Sequence, residues 1–110
     1  MPIVVVTMFG RSTGFVRKQA LIRITRDGEY GLVASFGGAA DHPVWYHNLL
    51  ANPDDVTIQD GPESFPVRVR EVDGAEREEW WQRGIAVYPK FAEYEAMTDR
   101  RIPVLVAGPF

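Results

Sequence analysis

Residues 19–35 read QALIRITRDGEYGLVAS, and this stretch decides the fold. Residues 19–26 alternate apolar with polar side chains, with Ile22 and Ile24 in phase and Leu21 out of phase, and residues 30–35 are apolar again. Each run has the period of a strand. Between them stands Arg26-Asp27-Gly28-Glu29. Asp-Gly is a preferred centre for a tight hairpin because glycine tolerates positive φ. Two strands joined in this way are antiparallel neighbours. That argues against the right-handed parallel crossovers of a doubly wound sheet.

Reading outward, residues 3–8 form a β-branched run that serves as a strand before the hairpin. After Gly37-Gly38, residues 41–50 carry an N-cap candidate in Asp41, an early proline in Pro43 and apolar side chains at helical spacing. Asn52-Pro53 stops this short helix. Residues 56–60 and 64–72 return to strand character around Gly61-Pro62. Phe65, Val67 and Val69 lie on one face, with Arg68 and Arg70 on the other. Asp73-Gly74 opens a helix over residues 75–83, and Tyr88-Pro89 precedes a second over 90–98. In the latter, Phe91, Tyr94 and Thr98 share a face. Residues 102–107 close the chain as a strand. The order β-β-β-α-β-β-α-α-β implies a mainly β protein with helices: an antiparallel barrel of about six strands with helices at its ends.

A chain of 110 residues that is 45% hydrophobic and 25% charged folds as one domain, 1–110, with a core of its own. No apolar run reaches the roughly 20 residues of a membrane span, and the start MPIVVVTMFG is too short for a secretory signal, so cytoplasm is the expected compartment. The absence of cysteine removes disulfides, thiolate metal sites and a cysteine nucleophile. The net charge of −3 hides an asymmetry. Residues 1–26 hold five cations and no acid, while residues 27–110 hold seven cations and all fifteen acids. The positive segment is read either as solvated surface or as a dock for a small anionic ligand. Nucleic acid is not an expected partner, because acids outnumber cations and no recognition motif is present.

The loop Phe9-Gly10-Arg11-Ser12-Thr13-Gly14-Phe15-Val16-Arg17-Lys18 combines two glycines, two hydroxyls and three cations, a set suited to phosphate or carboxylate. It matches neither a Walker loop nor a dinucleotide fingerprint, and a plain turn explains it equally. Ala34-Ser35-Phe36-Gly37-Gly38 offers backbone against which a planar ligand could lie, or a simple strand-to-helix turn. Trp45, Tyr46, His47 and Asn48 would form an aromatic wall with polar tips, although packing accounts for Trp45 as well. His42 and His47, five residues apart, are poorly spaced for a shared metal, and no metal site is expected. No hydrolase elbow occurs, and Glu78 and Glu79 read as a solvated helix face.

Taken in order, Gly10-Arg11-Ser12-Thr13-Gly14, Ala34-Ser35-Phe36-Gly37-Gly38 and the run from Pro43 through Trp45, Tyr46 and Asn48 to Asn52-Pro53 resemble the deazaflavin (coenzyme F420)-dependent nitroreductase family of actinobacteria. The likeness continues through Glu76-Arg77, Tyr88-Pro89, Tyr94 and residues 98–104, so it covers nearly the whole chain. It implies a split β-barrel of the FMN-binding-protein type that binds F420. It also implies hydride transfer from the reduced deazaflavin to a quinone, a nitroimidazole or another electron-poor acceptor. Carried over by position, Arg11, Ser12 and Thr13 match the phosphate-binding loop, and Arg17, Lys18, Gln19, Ala20, Leu21 and Ile22 match a strand lining the cofactor. Ala34, Ser35 and Phe36 match a second cofactor strand, and Val44, Trp45, Tyr46, His47 and Asn48 the start of a helix beside it. Ser35, Tyr88 and Tyr94 are the expected catalytic residues, with Ser35 orienting the acceptor or a ring oxygen. Phe36 and Ser12 stand where the family commonly has lysine, and Phe91 where it has a tyrosine, so tail contacts and acceptor preference are expected to differ.

Rival readings are an FMN oxidoreductase on a similar barrel, and a non-catalytic protein binding the deazaflavin or a fatty acid. A monomer or a homodimer is expected. Membrane contact would come only through an amino-terminal segment that many members of the family carry.

Overall fold

The computed structural model describes residues 2–110; Met1, part of the single-domain reading, lies outside them. Seven strands and three helices follow in the order β1 (Ile3–Phe9), β2 (Val16–Ile22), β3 (Ile24–Arg26), β4 (Glu29–Val33), α1 (Val44–Ala51), β5 (Val56–Asp60), β6 (Glu63–Val72), α2 (Gly74–Val87), α3 (Lys90–Ala96) and β7 (Val104–Gly108). All pairings are antiparallel, and the sheet order is β2-β1-β5-β6-β7-β4-β3. The Asp-Gly hairpin stands as expected, with Asp27 at φ 52° and Gly28 at φ 82°.

There is one strand more than the six expected, because residues 19–26 do not form one strand. The run breaks at Arg23, whose Nε donates to both carboxylate oxygens of Asp60, at 3.0 and 2.9 Å; Tyr30 donates its phenol proton to the same carboxylate at 2.6 Å. Arg23 alone separates β2 from β3, yet these two strands are the opposite edges of the sheet. A single residue can link them only if the sheet curls until its edges approach, and β2 does come against β4. The result is a curled, split half-barrel.

Two apolar clusters follow from this curl. Val4, Val6 and Met8 of β1, Ile58 of β5, Val67 and Val69 of β6, Leu32 of β4 and Leu105 and Ala107 of β7 fill the concave side, closed by Leu49 of α1. The opposite faces of β4 and β7 present Val33, Val104 and Val106 to Trp80, Trp81 and Phe91 of α2 and α3. β7 is therefore buried on both faces. Gly31 is required by this packing, since a Cβ there would lie 2.7 Å from Cε3 of Trp80.

Helix boundaries differ from the sequence expectation where backbone geometry overrides pattern. α1 starts at Val44 with Pro43, not Asp41, in the N-cap position, because proline fixes an extended entry into the first turn. α2 runs past 83 to Val87, as Gly84 packs closely on Ile24 and Phe91. α3 stops at Ala96 rather than 98, and β7 spans Val104–Gly108 rather than 102–107, because Pro103 lacks the N–H a ladder needs.

Candidate functional site

β2 is the unusual strand of the sheet. Residues 16–20 are all exposed, and among the described residues β1 is its only ladder partner, so its outer backbone groups face away from the sheet. Two cavities lie along it. The first, about 160 Å³, is lined by Arg17, Lys18 and Gln19 with Met8, Val44, Trp45 and Asn48. The second, about 220 Å³, is lined by Ala20, Leu21 and Ile22 with Ser35, Tyr88 and Tyr94, on a floor of Ile3, Val33 and Phe91. The register of β1 on β2 gives the two cavities consecutive positions along one exposed strand, a strip, called the groove below, with cations beside the first cavity and phenols beside the second.

The cationic end is built by the β1–β2 hairpin. Gly10 and Gly14 close the loop through Gly14 N–H to Gly10 O and Gly10 N–H to Phe15 O, both 2.8 Å, and Thr13 Oγ1 accepts from Phe15 N–H. Buried Asn48 anchors it from α1, its Oδ1 accepting the Arg11 N–H at 3.0 Å. Among the described residues Arg23 and Arg26 are paired with Asp60 and Asp27, whereas no carboxylate lies within salt-bridge distance of Arg11, Arg17 or Lys18. Three cations are thus left without a carboxylate partner, Arg17 and Lys18 in the cavity wall and Arg11 at the hairpin tip beyond it.

At the other end, the Tyr88 and Tyr94 hydroxyls lie 3.2 Å apart. That hydrogen bond is the first cause holding the Tyr94 phenol above its ordinary pKa of 10.0; it commits one of the two phenol protons and leaves the other available for donation. Phe91 packs edge-on against Tyr88, and Ser35 sits almost buried beside them. Phe36, which follows Ser35, holds φ 45°, a left-handed conformation unusual for a non-glycine residue and one that collects at functional turns.

The structure brings together Arg17, Lys18, Gln19, Ala20, Leu21, Ile22, Ser35, Val44, Trp45, Asn48, Tyr88 and Tyr94 along the groove. Arg11, Ser12 and Thr13 sit at the hairpin tip, outside the cavity walls. Tyr46 and His47 occupy another face of α1. The Tyr46 hydroxyl donates to Glu71 at 2.6 Å, and burial, with that bond, pushes its pKa up to about 12. His47 packs against Tyr46 and His42. Ala34 is buried with its carbonyl facing Arg100, and Phe36 points to solvent, 59% exposed. Sequence reasoning missed Ile3, Met8 and Val33 as lining residues, since apolar strand positions look alike. It also missed Arg100, whose guanidinium reaches Ala34, Ser35, Ala39 and His42; two adjacent arginines after a helix do not reveal which one turns inward.

Comparison with known proteins gives the fold and the family. An F420H2-dependent quinone reductase from Mycobacterium tuberculosis (strain ATCC 25618 / H37Rv) is 41% identical over 87 residues, 74% of this chain and 56% of that relative's length. A second protein of the same strain, provisionally named for the same activity, is 38% identical over 89 residues, 81% of this chain and 74% of its own. A solved F420-H2 dependent reductase superposes with a TM-score of 0.90 at 45% identity, covering 96% of this chain and 93% of that one. A structure described as a domain-swapped dimer gives 0.91 at 45% identity, covering 96% and 79%. A heme storage protein from Vibrio cholerae shares the fold alone, at 16% identity and a TM-score of 0.63. The model of the F420H2-dependent quinone reductase family matches residues 1–109, and the chain belongs to that family.

Proposed function

We propose that the groove along β2 binds F420 and that the protein reduces a quinone at its phenolic end. The observation that carries this reading is the polarity along β2: two carboxylate-free cations, Arg17 and Lys18, in the wall of one cavity, an apolar cavity rimmed by Ser35, Tyr88 and Tyr94 at the other end, and one exposed strand running the length of both. The cofactor suits this donor set. Arg11, Arg17 and Lys18 would hold its anionic phosphodiester and tail by charge-assisted hydrogen bonds. The exposed backbone of β2 and the hydroxyls of Ser12 and Thr13 would add neutral ones. When bound in its reduced form, F420 supplies a hydride.

The protein's own contribution is orientation and exclusion of water. Leu21, Ile22, Val33 and Phe91 provide an apolar floor on which a flat acceptor can stack. Of the Tyr88 and Tyr94 phenols, one donates to the other, and the tyrosine that accepts has its own proton free to donate to an acceptor oxygen, favouring the negative charge that develops there on reduction. Ser35 is assigned the orientation of an acceptor or ring oxygen. Nitroaromatic compounds share the electron-poor character of quinones and are the second acceptor class to test. By likeness to the domain-swapped relative, a second copy of this chain is the macromolecular partner proposed, and sedimentation distinguishes one copy from two.

Fluorescence titration with oxidised F420, run beside FMN, tests the reading. Saturable F420 binding that weakens in Arg17→Ala, together with quinone-dependent oxidation of the reduced cofactor that falls in Ser35→Ala, is the expected result. Saturable FMN binding without F420 binding would overturn it. F420 binding without oxidation by any quinone would leave a deazaflavin-binding protein.

A further inference from the structure

Arg100 is not among the residues lining either cavity, yet it makes the densest set of polar contacts near the groove. Its Nη2 donates to the Ser35 carbonyl at 2.7 Å, Nη1 to the Ala34 carbonyl at 3.1 Å and Nε to the Ala39 carbonyl at 2.8 Å, and Nη1 lies 2.9 Å from His42 Nδ1. No carboxylate among the described residues lies within salt-bridge distance of it. Four of the five guanidinium donors are therefore spent on one short stretch of backbone and a histidine that precedes α1.

That stretch needs holding. Phe36, Gly37 and Gly38 are consecutive left-handed residues at φ 45°, 62° and 80°, and such conformations persist only where the surroundings impose them. The other side of the turn rests on α3. A Cβ on Gly38 would stand 3.0 Å from the Tyr94 carbonyl oxygen and 3.1 Å from Met97 Cβ. The turn is thus gripped between Arg100 and the backbone of the helix that carries Tyr94. Its position sets how Ser35 and Tyr94 face one another across the cavity they share.

We infer that Arg100, with His42 as its terminal acceptor, is the positioning residue that holds the Ser35–Gly38 turn in the conformation the cofactor groove requires. The inference rests on the reading of that groove as the F420 site. Lysine cannot replace it, because one ammonium lacks the planar fork that reaches acceptors in different directions.

His42 accepts only while Nδ1 is unprotonated. Burial first, then the Arg100 charge, lower its pKa below the ordinary 6.5, with His47 adding to this and Glu71 and Asp41 opposing it. Tyr46 packs on its ring, and Asp73, Arg77 and Arg101 share its cavity. Protonation would turn the acceptor into a donor and set a cation against the guanidinium. The grip, and F420 affinity with it, is therefore complete at neutral pH and weakens as pH falls through the His42 pKa, while the three carbonyl contacts remain.

The test is F420 titration of wild type, Arg100→Ala, Arg100→Lys and His42→Gln from pH 7.5 to 5, with thermal unfolding of each. At pH 7.5 both Arg100 variants are expected to bind at least fivefold more weakly. His42→Gln, whose amide oxygen accepts at every pH, should lose less affinity on acidification than wild type; titration of F420 itself cancels in that ratio. Should Arg100→Ala fail to fold, Arg100→Lys and His42→Gln decide. Arg100→Lys binding within twofold of wild type, or parallel pH profiles for wild type and His42→Gln, overturns the inference. A wild-type protein that binds no F420 overturns the functional reading, and the inference with it.

Discussion

β2 and β7 are strands of one sheet and could hardly be more different. β7, Val-Leu-Val-Ala-Gly, lies between β6 and β4, with Leu105 and Ala107 in the concave core and Val104 and Val106 under the helices. β2, Val-Arg-Lys-Gln-Ala-Leu-Ile, is an edge with almost no core contact until Leu21 and Ile22. The first strand is positioned for stability, and the second for the cofactor recognition proposed above. A long exposed edge is a liability in most proteins, since it invites pairing with other chains. Here Arg17 and Lys18 guard the edge, and the cofactor site proposed for the two cavities beside it would give it a use.

The contrast can be broken most forcefully at Leu105. Leu105→Ala is expected to cost about 3 kcal/mol of stability, as buried leucine truncations do. Urea unfolding reads this, and F420 affinity of the folded protein should hold. Gly31→Ala comes next: its new methyl meets Trp80, and a loss of about 2 kcal/mol is expected, visible as a lower melting temperature. The converse belongs to β2. Arg17→Ala with Lys18→Ala should leave stability within about 0.5 kcal/mol, because both side chains are exposed, while F420 binding weakens about tenfold. A double variant that unfolds more readily than Leu105→Ala would erase the distinction between the strands.

A smaller effect sharpens it at the point where the two sheet edges meet. The Tyr30 hydrogen bond, with Arg23 beside it, holds the Asp60 carboxyl below its ordinary 3.8, so its folded-state pKa lies under the unfolded one. Its stabilising contribution is present above about pH 4 and is lost as pH falls through the folded value. Asp60→Asn should therefore flatten the acid limb of a melting-temperature profile while lowering its neutral plateau.

The element order, the hairpin and the inward faces of β6 were legible because each rests on local chemistry: Asp-Gly turn geometry and a period of two. The boundary at Arg23 was not. Alternation continued through it, and only the ion pair with Asp60, 37 residues away, shows that the chain passes there from one edge of the sheet to the other. The site divides in the same way. Arg17 and Lys18 drew attention as cations in an acidic protein, and Ser35 as a hydroxyl before two glycines. On α1, Val44, Trp45 and Asn48 face the groove while Tyr46 and His47 do not, although all five looked equivalent in the run.

By itself the sequence determined an antiparallel, mainly β domain with a basic amino-terminal third and, through its motifs, a likeness to a deazaflavin-dependent family. Turn residues, side-chain periodicity and charge act over a few positions and can be read along the chain. Tertiary structure alone decided that the sheet curls, that its exposed edge becomes the wall of a groove, and that Arg100 reaches back to the turn after β4. Those outcomes depend on contacts between residues tens of positions apart, where closure of the sheet, rather than local preference, chooses the partners.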